Sequence, residues 1–170
     1  MAGIILNADF IEADRFDIYS KPVPGDLLNV DALKVNGVTE DDLKSDKYLG
    51  PITAKKVFEG VLSKYVNKFD KKDKLTFVGY NAFFDADFIR AWFVKMGDKF
   101  FGSWFWWPPI DVMVLAADVV GEKRPNLENF KLATVATHFG IELDQSKLHE
   151  ALYDIEVTLQ LYKHLNGFKI

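Results

Sequence analysis

Residues 75–96, LTFVGYNAFFDADFIRAWFVKM, change from a strand pattern to a helix pattern within a few positions. Residues 75–80 are largely apolar and follow the charged run of residues 71–74, which is typical of a buried strand. The later apolar residues recur at three- and four-residue spacing, as on one face of a helix; they are Phe88, Ile89, Trp92, Phe93 and Met96. The stretch therefore predicts a strand that leads directly into a helix.

The segments on either side extend this pattern. The sequence predicts adjacent strands at residues 2–10 and 15–19, a helix at residues 51–69, a further strand at 110–115, and helices at 126–139 and about 150–165. Gly140 is the expected C-cap of the helix that precedes it. Strands followed by alternating strands and helices predict an α/β sheet with helices on its faces.

Composition limits the possible classes of protein. The chain has 170 residues and 49% hydrophobic content, which predicts one domain over residues 1–170 with a substantial core. Its formal net charge is -4, so the field of the whole protein does not attract polyanions. A nucleic-acid role must therefore depend on a local site.

Cysteine is absent, which excludes disulfides, thiolate zinc sites and cysteine nucleophiles and suits a reducing compartment. The N-terminal residues carry no secretory signal pattern, so a cytoplasmic location is expected. Residues 100–120 are the most apolar stretch, but Pro108, Pro109 and Asp111 interrupt it. A membrane-spanning helix needs about 20 apolar residues, so no membrane association is expected.

Asp85 lies where the predicted strand of residues 75–80 turns into its helix. Ligands of α/β sheets collect at the carboxyl ends of strands, and metal-assisted phosphodiester hydrolysis needs several carboxylates at one point. The same position also suits an acid that only stabilises the first turn of a helix. Taken alone, Asp85 leaves both interpretations open.

The segment HEALYD, residues 149–154, places a histidine five positions before an aspartate at the start of the last predicted helix. His149 is a candidate general base, because an imidazole accepts and releases protons near neutral pH; alternatively it only contacts the helix terminus. Asp154 is a candidate metal ligand or a solvated acid beside the buried face. His138 and His164 have no acidic partner at comparable spacing and are expected to be structural or surface residues.

The order of these motifs resembles that of the histidine-type DEDD (DEDDh) 3′→5′ exonucleases, which include the proofreading epsilon subunit of DNA polymerase III and ribonuclease T. The resemblance depends on residues 81–85 (NAFFD), Ile110-Asp111, residues 131–141 and HEALYD, and it covers nearly the whole chain. It implies a ribonuclease H-like mixed sheet flanked by helices. Tyr80 stands where relatives often carry histidine.

The resemblance also implies roles for individual residues. Asp85 and Asp154 would be acids of a two-metal Mg²⁺ or Mn²⁺ site, His149 the general base, and Asn81 a substrate contact. The implied substrates are the 3′ ends of single-stranded DNA or RNA. A homodimer or a polymerase is the implied protein partner.

The first motif of that family, an Asp-x-Glu on the opening strand, is missing from these residues. Asn7-Ala-Asp9 is a poor substitute, because too little chain would remain before Pro22 for two more strands. Without two carboxylates the metal site should be impaired. The favoured expectation is that the natural protein begins upstream of Met1; the alternatives are a partner chain that fills the gap and a catalytically inactive nucleic-acid-binding or assembly module.

A final feature is a cluster of six aromatic residues between the second motif and the next strand: Phe100, Phe101, Trp104, Phe105, Trp106 and Trp107. Such rings stack on unpaired bases, but they also cover cores and form subunit interfaces. A core or interface role is the favoured interpretation.

Overall fold

The computed structural model describes residues 1–35 and 37–167. These residues form four strands, six α-helices and three short 3₁₀ turns. The strands are β1 (Ala2–Leu6), β2 (Glu12–Asp17), β3 (Leu75–Gly79) and β4 (Phe105–Asp111). The helices are α1 (Val30–Val35), α2 (Pro51–Leu62), α3 (Ala82–Lys95), α4 (Val112–Val120), α5 (Leu132–His138) and α6 (Ala151–Leu165).

The chain forms two compact units. Unit one comprises residues 1–74 and 91–104, and unit two comprises residues 75–90 together with the described residues from 105 onward. Each unit contains a two-stranded sheet, antiparallel β1–β2 in unit one and parallel β3–β4 in unit two. The predicted α/β class, with mixed strand directions, is confirmed.

The β1–β2 pair begins with Ala2 opposite Asp17 and shifts register at Leu6. β1 ends there because the side chain of Asn7 forms a turn: its Oδ1 accepts hydrogen bonds from the backbone N–H of Asp9 at 3.0 Å and of Ile11 at 2.9 Å. Asparagine commonly bonds its own backbone in this way and so ends a strand. The prediction of a strand that continues to residue 10 was therefore too long.

Unit one is centred on a chain of aromatic side chains. Phe58 of α2 lies 5.5 Å from the ring of Phe16 and 6.2 Å from that of Phe93, measured between ring centroids. Phe93 in turn lies 5.7 Å from Phe101. These tilted and edge-to-face contacts are the favoured geometry for aromatic pairs. Trp104, only 2% exposed, is the largest fully buried side chain of this core.

α2 is shorter than the predicted helix of residues 51–69. Its buried face, which includes Phe58 and Leu62, ends where polar side chains take over the backbone hydrogen bonds. The N–H of Asn67 donates to Asp73 Oδ2 at 2.9 Å, and Asn67 Oδ1 accepts from the N–H of Phe69 at 3.1 Å. Asn and Asp offer the backbone such alternatives to a helix, so Phe69, 87% exposed, is not part of it.

In unit two, β3 and β4 pair in parallel but not in one continuous register. Thr76 lies opposite Trp106 and Val78 opposite Ile110, so Trp107, Pro108 and Pro109 lie opposite the single residue Phe77. Proline has no backbone N–H and cannot donate to the sheet, which explains why these residues bulge from the strand.

The prediction of a strand at residues 110–115 was wrong beyond Asp111. The strand β4 lies earlier, at Phe105–Asp111, and the apolar residues that follow form α4. The reason is Asp111, which caps that helix by accepting a hydrogen bond from the N–H of Met113. A short apolar run fits a buried strand and a buried helix equally well, so only the cap distinguishes them.

The core of unit two is built by helices. α6 packs against α4 and α5, and the buried residues of the core are Val112, Ala116, Val135, Ala136, Ile141, Val157 and Leu161. α5 begins later than predicted because Asn129 Oδ1 accepts from the N–H of Lys131 and the hydroxyl of Thr134. Gly140 has φ +78° just after this helix, which fits its predicted role in terminating it.

The six-residue aromatic cluster divides by burial. Phe101, Trp104 and Phe105 are buried, as a core role predicts, whereas Phe100, Trp106 and Trp107 are 44–70% exposed.

Among the described residues, no helix has both the length and the apolar character needed to cross a bilayer.

Replacing Phe93 with alanine is expected to lower the free energy of unfolding by about 3–5 kcal/mol, because a fully buried ring leaves a cavity in the aromatic core. The matched control is Val94→Ala, since Val94 is the next residue of α3 and is 51% exposed; its effect should stay within about 0.5 kcal/mol. Urea denaturation measures both. Similar losses for the two variants would contradict the core assignment.

Candidate active site

The motif of residues 81–85 begins at a sharp turn between β3 and α3. Asn81 has φ +63°, the left-handed conformation that asparagine tolerates better than most residues. Its backbone N–H donates to Asp111 Oδ1 at 3.0 Å, while its side chain is exposed. The backbone of this turn is therefore held by the neighbouring strand, and the Asn81 amide remains available to a substrate.

Asp111, one of the residues on which the resemblance depends, has a structural role beside the candidate site that sequence reasoning did not identify. It is the last residue of β4, only 7% exposed, and its Oδ1 accepts hydrogen bonds from the N–H groups of both Asn81 and Met113, each at 3.0 Å. A buried carboxylate requires such partners. The available signal was an aspartate immediately before an apolar run of helix length, which is an N-cap pattern.

Asp85 lies in the first turn of α3 and is exposed. Desolvation by the surrounding protein raises the pKa of its carboxyl, and the negative charge of Asp111 raises it further. A negative charge raises the pKa of another acid in this way only when the two lie within electrostatic reach of each other. The structure therefore brings Asp85 near Asp111, a proximity that the sequence did not predict.

Tyr80 anchors the same turn from its other side. Its hydroxyl donates to the backbone carbonyl of Phe130 at 2.7 Å. Burial, followed by the charge of Asp111, raises the pKa of the phenol well above its ordinary value. Tyr80 therefore remains a neutral hydrogen-bond donor and holds the turn to the segment that precedes α5.

His149 and Asp154 lie together at the start of α6. The backbone N–H of His149 points to Asp154 Oδ1, with a donor–acceptor distance of 3.4 Å, and the side chain of His149 is exposed. His149 has φ +76°, a strained conformation for a residue with a side chain, of the kind that occurs at functional sites. The partially buried Asp154 thus contacts the histidine's backbone and not its imidazole.

Two pairs of residues result: Asp85 lies within the electrostatic influence of Asp111, and the backbone N–H of His149 points to Asp154. In the described part of the chain, no three His, Asp or Glu residues are arranged to hold a metal ion. Mg²⁺ and Mn²⁺ need several oxygen ligands converging on one point, so the described residues do not fit the two-metal site by themselves. Metal ligation by Asp85 and Asp154, the general-base role of His149 and the substrate contact of Asn81 remain predictions.

His138 and His164 have a different environment from His149. Both rings contact the ring of Phe139, at centroid distances of 5.3 Å and 5.4 Å. These contacts agree with the structural role expected for them.

Comparison with known protein families decides the affiliation. The exonuclease family profile, RNase_T, matches residues 1–162. The chain belongs to this exonuclease family. Membership agrees with the predicted DEDD resemblance, and the small sheets with their helices are consistent with a ribonuclease H-like exonuclease fold.

Two curated relatives of this exonuclease-family chain cover different shares of it. The 3′-5′ DNA exonuclease Cap18 of Escherichia coli is 35% identical over 95 residues, which are 55% of this chain and 48% of the relative. The PolC-type DNA polymerase III of Pediococcus pentosaceus is 26% identical over 145 residues, 85% of this chain and 8% of the polymerase. The chain thus spans less than half the length of either relative.

Two substitutions test the role of Asp111 in this exonuclease-family site. Asp111→Asn keeps an acceptor for the N–H groups of Asn81 and Met113, so the free energy of unfolding should change by less than about 1 kcal/mol. Asp111→Ala removes the acceptor and should cost about 1–3 kcal/mol. Urea denaturation compares the two, and equal losses would rule out the hydrogen bonds as the cause.

Asp85→Asn is expected to stabilise the folded protein at neutral pH. The pKa of Asp85 is raised by folding, so the folded state binds its proton more strongly, and stability falls as pH rises from the ordinary aspartate pKa through the raised one. Below both values the carboxyl is neutral in either state, so the gain should vanish.

The test of Asp85→Asn compares thermal unfolding midpoints at about pH 3 and about pH 7. Asp118→Asn, at an exposed acid of α4, is the control and should give no comparable pH-dependent gain. A gain of the same size at both pH values would show that charge is not its origin.

Proposed function

We propose that this chain acts as a metal-dependent 3′→5′ exonuclease domain that removes terminal nucleotides from single-stranded nucleic acid in the cytoplasm. The observation that carries the proposal is the family match over residues 1–162. The NAFFD and HEALYD motifs both lie in unit two, one at the carboxyl end of β3 and the other at the start of α6. We also propose that residues 1–170 function as one domain, with both units required.

His149 is the proposed general base. Its exposed side chain is accessible to a water molecule that attacks the phosphorus of the terminal phosphodiester. The water oxygen forms the new bond to phosphorus and its proton passes to the imidazole. The bond to the 3′ oxygen of the penultimate nucleotide breaks, and that oxygen takes a proton from solvent and leaves as a hydroxyl. The contact of Asp154 with the backbone of His149 supports a role in fixing this residue's position.

A two-metal site needs more carboxylate ligands than the described residues supply. Asp85 and Asp154 are the proposed metal-binding acids for Mg²⁺ or Mn²⁺, with the buried Asp111 close to the first of them. β3 pairs with β4 along one edge, and no other described strand pairs with it. We propose that a further strand with two carboxylates, from this polypeptide or a partner, occupies the open edge of β3 and completes the site.

His149→Ala should leave divalent-ion binding largely unchanged and reduce the turnover of the complete enzyme by at least about 100-fold, because general-base catalysis contributes on that order. The measurement is the release of terminal nucleotides from a 5′-labelled single strand, with Mn²⁺ titration in parallel. His164→Ala is the control, since His164 lies on α6 but contacts Phe139. Unchanged turnover in His149→Ala would remove this residue from the mechanism.

A second candidate is a catalytically inactive nucleic-acid-binding or assembly module. The absence of a three-ligand group among the described residues favours it. The discriminating experiment incubates a 5′-labelled single strand with the 170-residue chain, and with an upstream-extended version, in Mn²⁺ or EDTA. Shortening from the 3′ end in Mn²⁺ alone supports the exonuclease; binding without shortening by both versions supports the module.

A polymerase is the proposed protein partner. Support comes from the relative described as a PolC-type DNA polymerase III, which aligns with 85% of this chain. Homodimerisation is the alternative, and the molar mass of the isolated chain in solution distinguishes self-association from association with another protein.

A further inference from the structure

The first half of α3 presents large aromatic side chains to solvent. Phe83, Phe84 and Phe88 are 41%, 66% and 65% exposed. Trp107, from the bulge of β4, is 52% exposed, and its ring meets that of Phe83 at 5.6 Å between centroids. We refer to these four residues, all in unit two, as the aromatic surface. Large apolar groups that are exposed together often mark a binding site.

The spacing along α3 orders these residues around the helix, since each residue turns it by about 100°. Phe84 and Phe88 form one stripe, with ring centroids 6.4 Å apart and planes 22° from parallel. Asp85 lies on one side of this stripe, three residues before Phe88. Phe83 lies on its other side and contacts Trp107. The aromatic surface therefore runs from the candidate metal ligand, around the exposed side of α3, to the bulge of β4.

Trp107 is held in place although half of it is exposed. The guanidinium carbon of Arg90 lies 4.3 Å from the centroid of its ring, and Phe83 contacts the ring edge-on. Arg90 Nη1 in turn lies 3.3 Å from Asp87 Oδ1. A ring that its neighbours already position loses little freedom when a ligand binds, so more of the contact energy appears as affinity. Trp107 is thus a preorganised surface for a flat ligand.

The polar residues among the rings favour an unpaired nucleic-acid strand as the occupant. Asp85 and Asp87 are exposed acids of the same helix, and the buried centre of a protein–protein interface is depleted of such groups. A nucleobase stacks on a ring face and leaves neighbouring acids in contact with water. Because these acids outnumber Arg90, stacking on the rings must supply more of the affinity than attraction of phosphates.

We propose that the aromatic surface holds the unpaired bases of a single strand whose 3′ end lies at Asp85, and that Trp107 stacks on a base upstream of the terminal nucleotide. The direction of the strand rests on the proposed exonuclease function. Every base has an aromatic face, so this contact positions the strand without selecting a sequence.

The first test measures equilibrium binding, by fluorescence anisotropy, of a 5′-labelled oligothymidylate of about ten nucleotides to the full chain in EDTA, where metal-dependent hydrolysis is prevented. Trp107→Leu and Phe88→Leu should each weaken binding by at least about fivefold, because each removes a stacking partner. The matched control is Phe69→Leu, at a ring of unit one that is 87% exposed, and it should leave binding unchanged.

The second test combines Trp107→Leu with strands that lack one base. If an upstream base stacks on Trp107, removing the base and removing the ring lose the same contact, so the double change should weaken binding no more than either single change. The terminal base should show no such coupling, since the 3′ end lies at Asp85.

Three results would overturn the proposal: losses that multiply at every base position, equal affinity for thymidylate and for a strand with no bases, or no binding of thymidylate, which would assign the surface to a protein partner. The strand without bases is compared on the unsubstituted protein, so this result holds even if Trp107→Leu fails to fold. Binding with the predicted coupling but no shortening in Mn²⁺ would refute the exonuclease proposal alone.

Discussion

The carboxylate of Asp111 is the contact on which unit two depends. Its Oδ1 accepts the N–H of Asn81 and the N–H of Met113, so one oxygen joins the turn after β3 to the first turn of α4. Gly79 and Asp111 pair across the parallel strands, which places both strand ends at the same level. The position of α3, and with it Asp85, follows from this junction. Because Asp111 is buried, losing either partner would leave a polar group unpaired.

The same carboxylate imposes an electrostatic cost on the site. The charge of Asp111 adds to the desolvation that raises the pKa of Asp85, so an ionised Asp85 lowers the stability of the folded protein. Groups that a protein keeps at the expense of stability are often functional. The left-handed backbone of His149 is a second local cost, located in the HEALYD motif. Both costs fall on residues that the sequence motifs make candidates for catalysis, Asp85 and His149.

The bulge at Trp107, Pro108 and Pro109 explains why some residues of the aromatic cluster are buried and others are exposed. Three residues opposite Phe77 turn Trp107 out of the sheet, where it contacts Phe83 at 5.6 Å between ring centroids. Before the bulge, Phe105 remains paired with Leu75 and is buried. The sequence identifies the aromatic cluster but not which of its residues are buried. Burial depends on which backbone groups can form hydrogen bonds between β3 and β4.

The sequence by itself determined the α/β class, the strand-to-helix step at residues 75–96, the helix at the C-terminus and the resemblance to an exonuclease family. These features follow from local periodicity and from short motifs, both of which are written in neighbouring residues. The predicted ends of helices and strands were less accurate. The side chains of Asn7, Asn67 and Asn129 accept hydrogen bonds from backbone N–H groups, which ends β1 and α2 early and delays the start of α5. Only the tertiary structure decided that Asp111 bonds the turn after β3 and that α4 replaces a predicted strand. The bond between Asn81 and Asp111 joins residues far apart in the chain in a buried place, where an unpaired polar group is costly and its partner cannot be read from its neighbours.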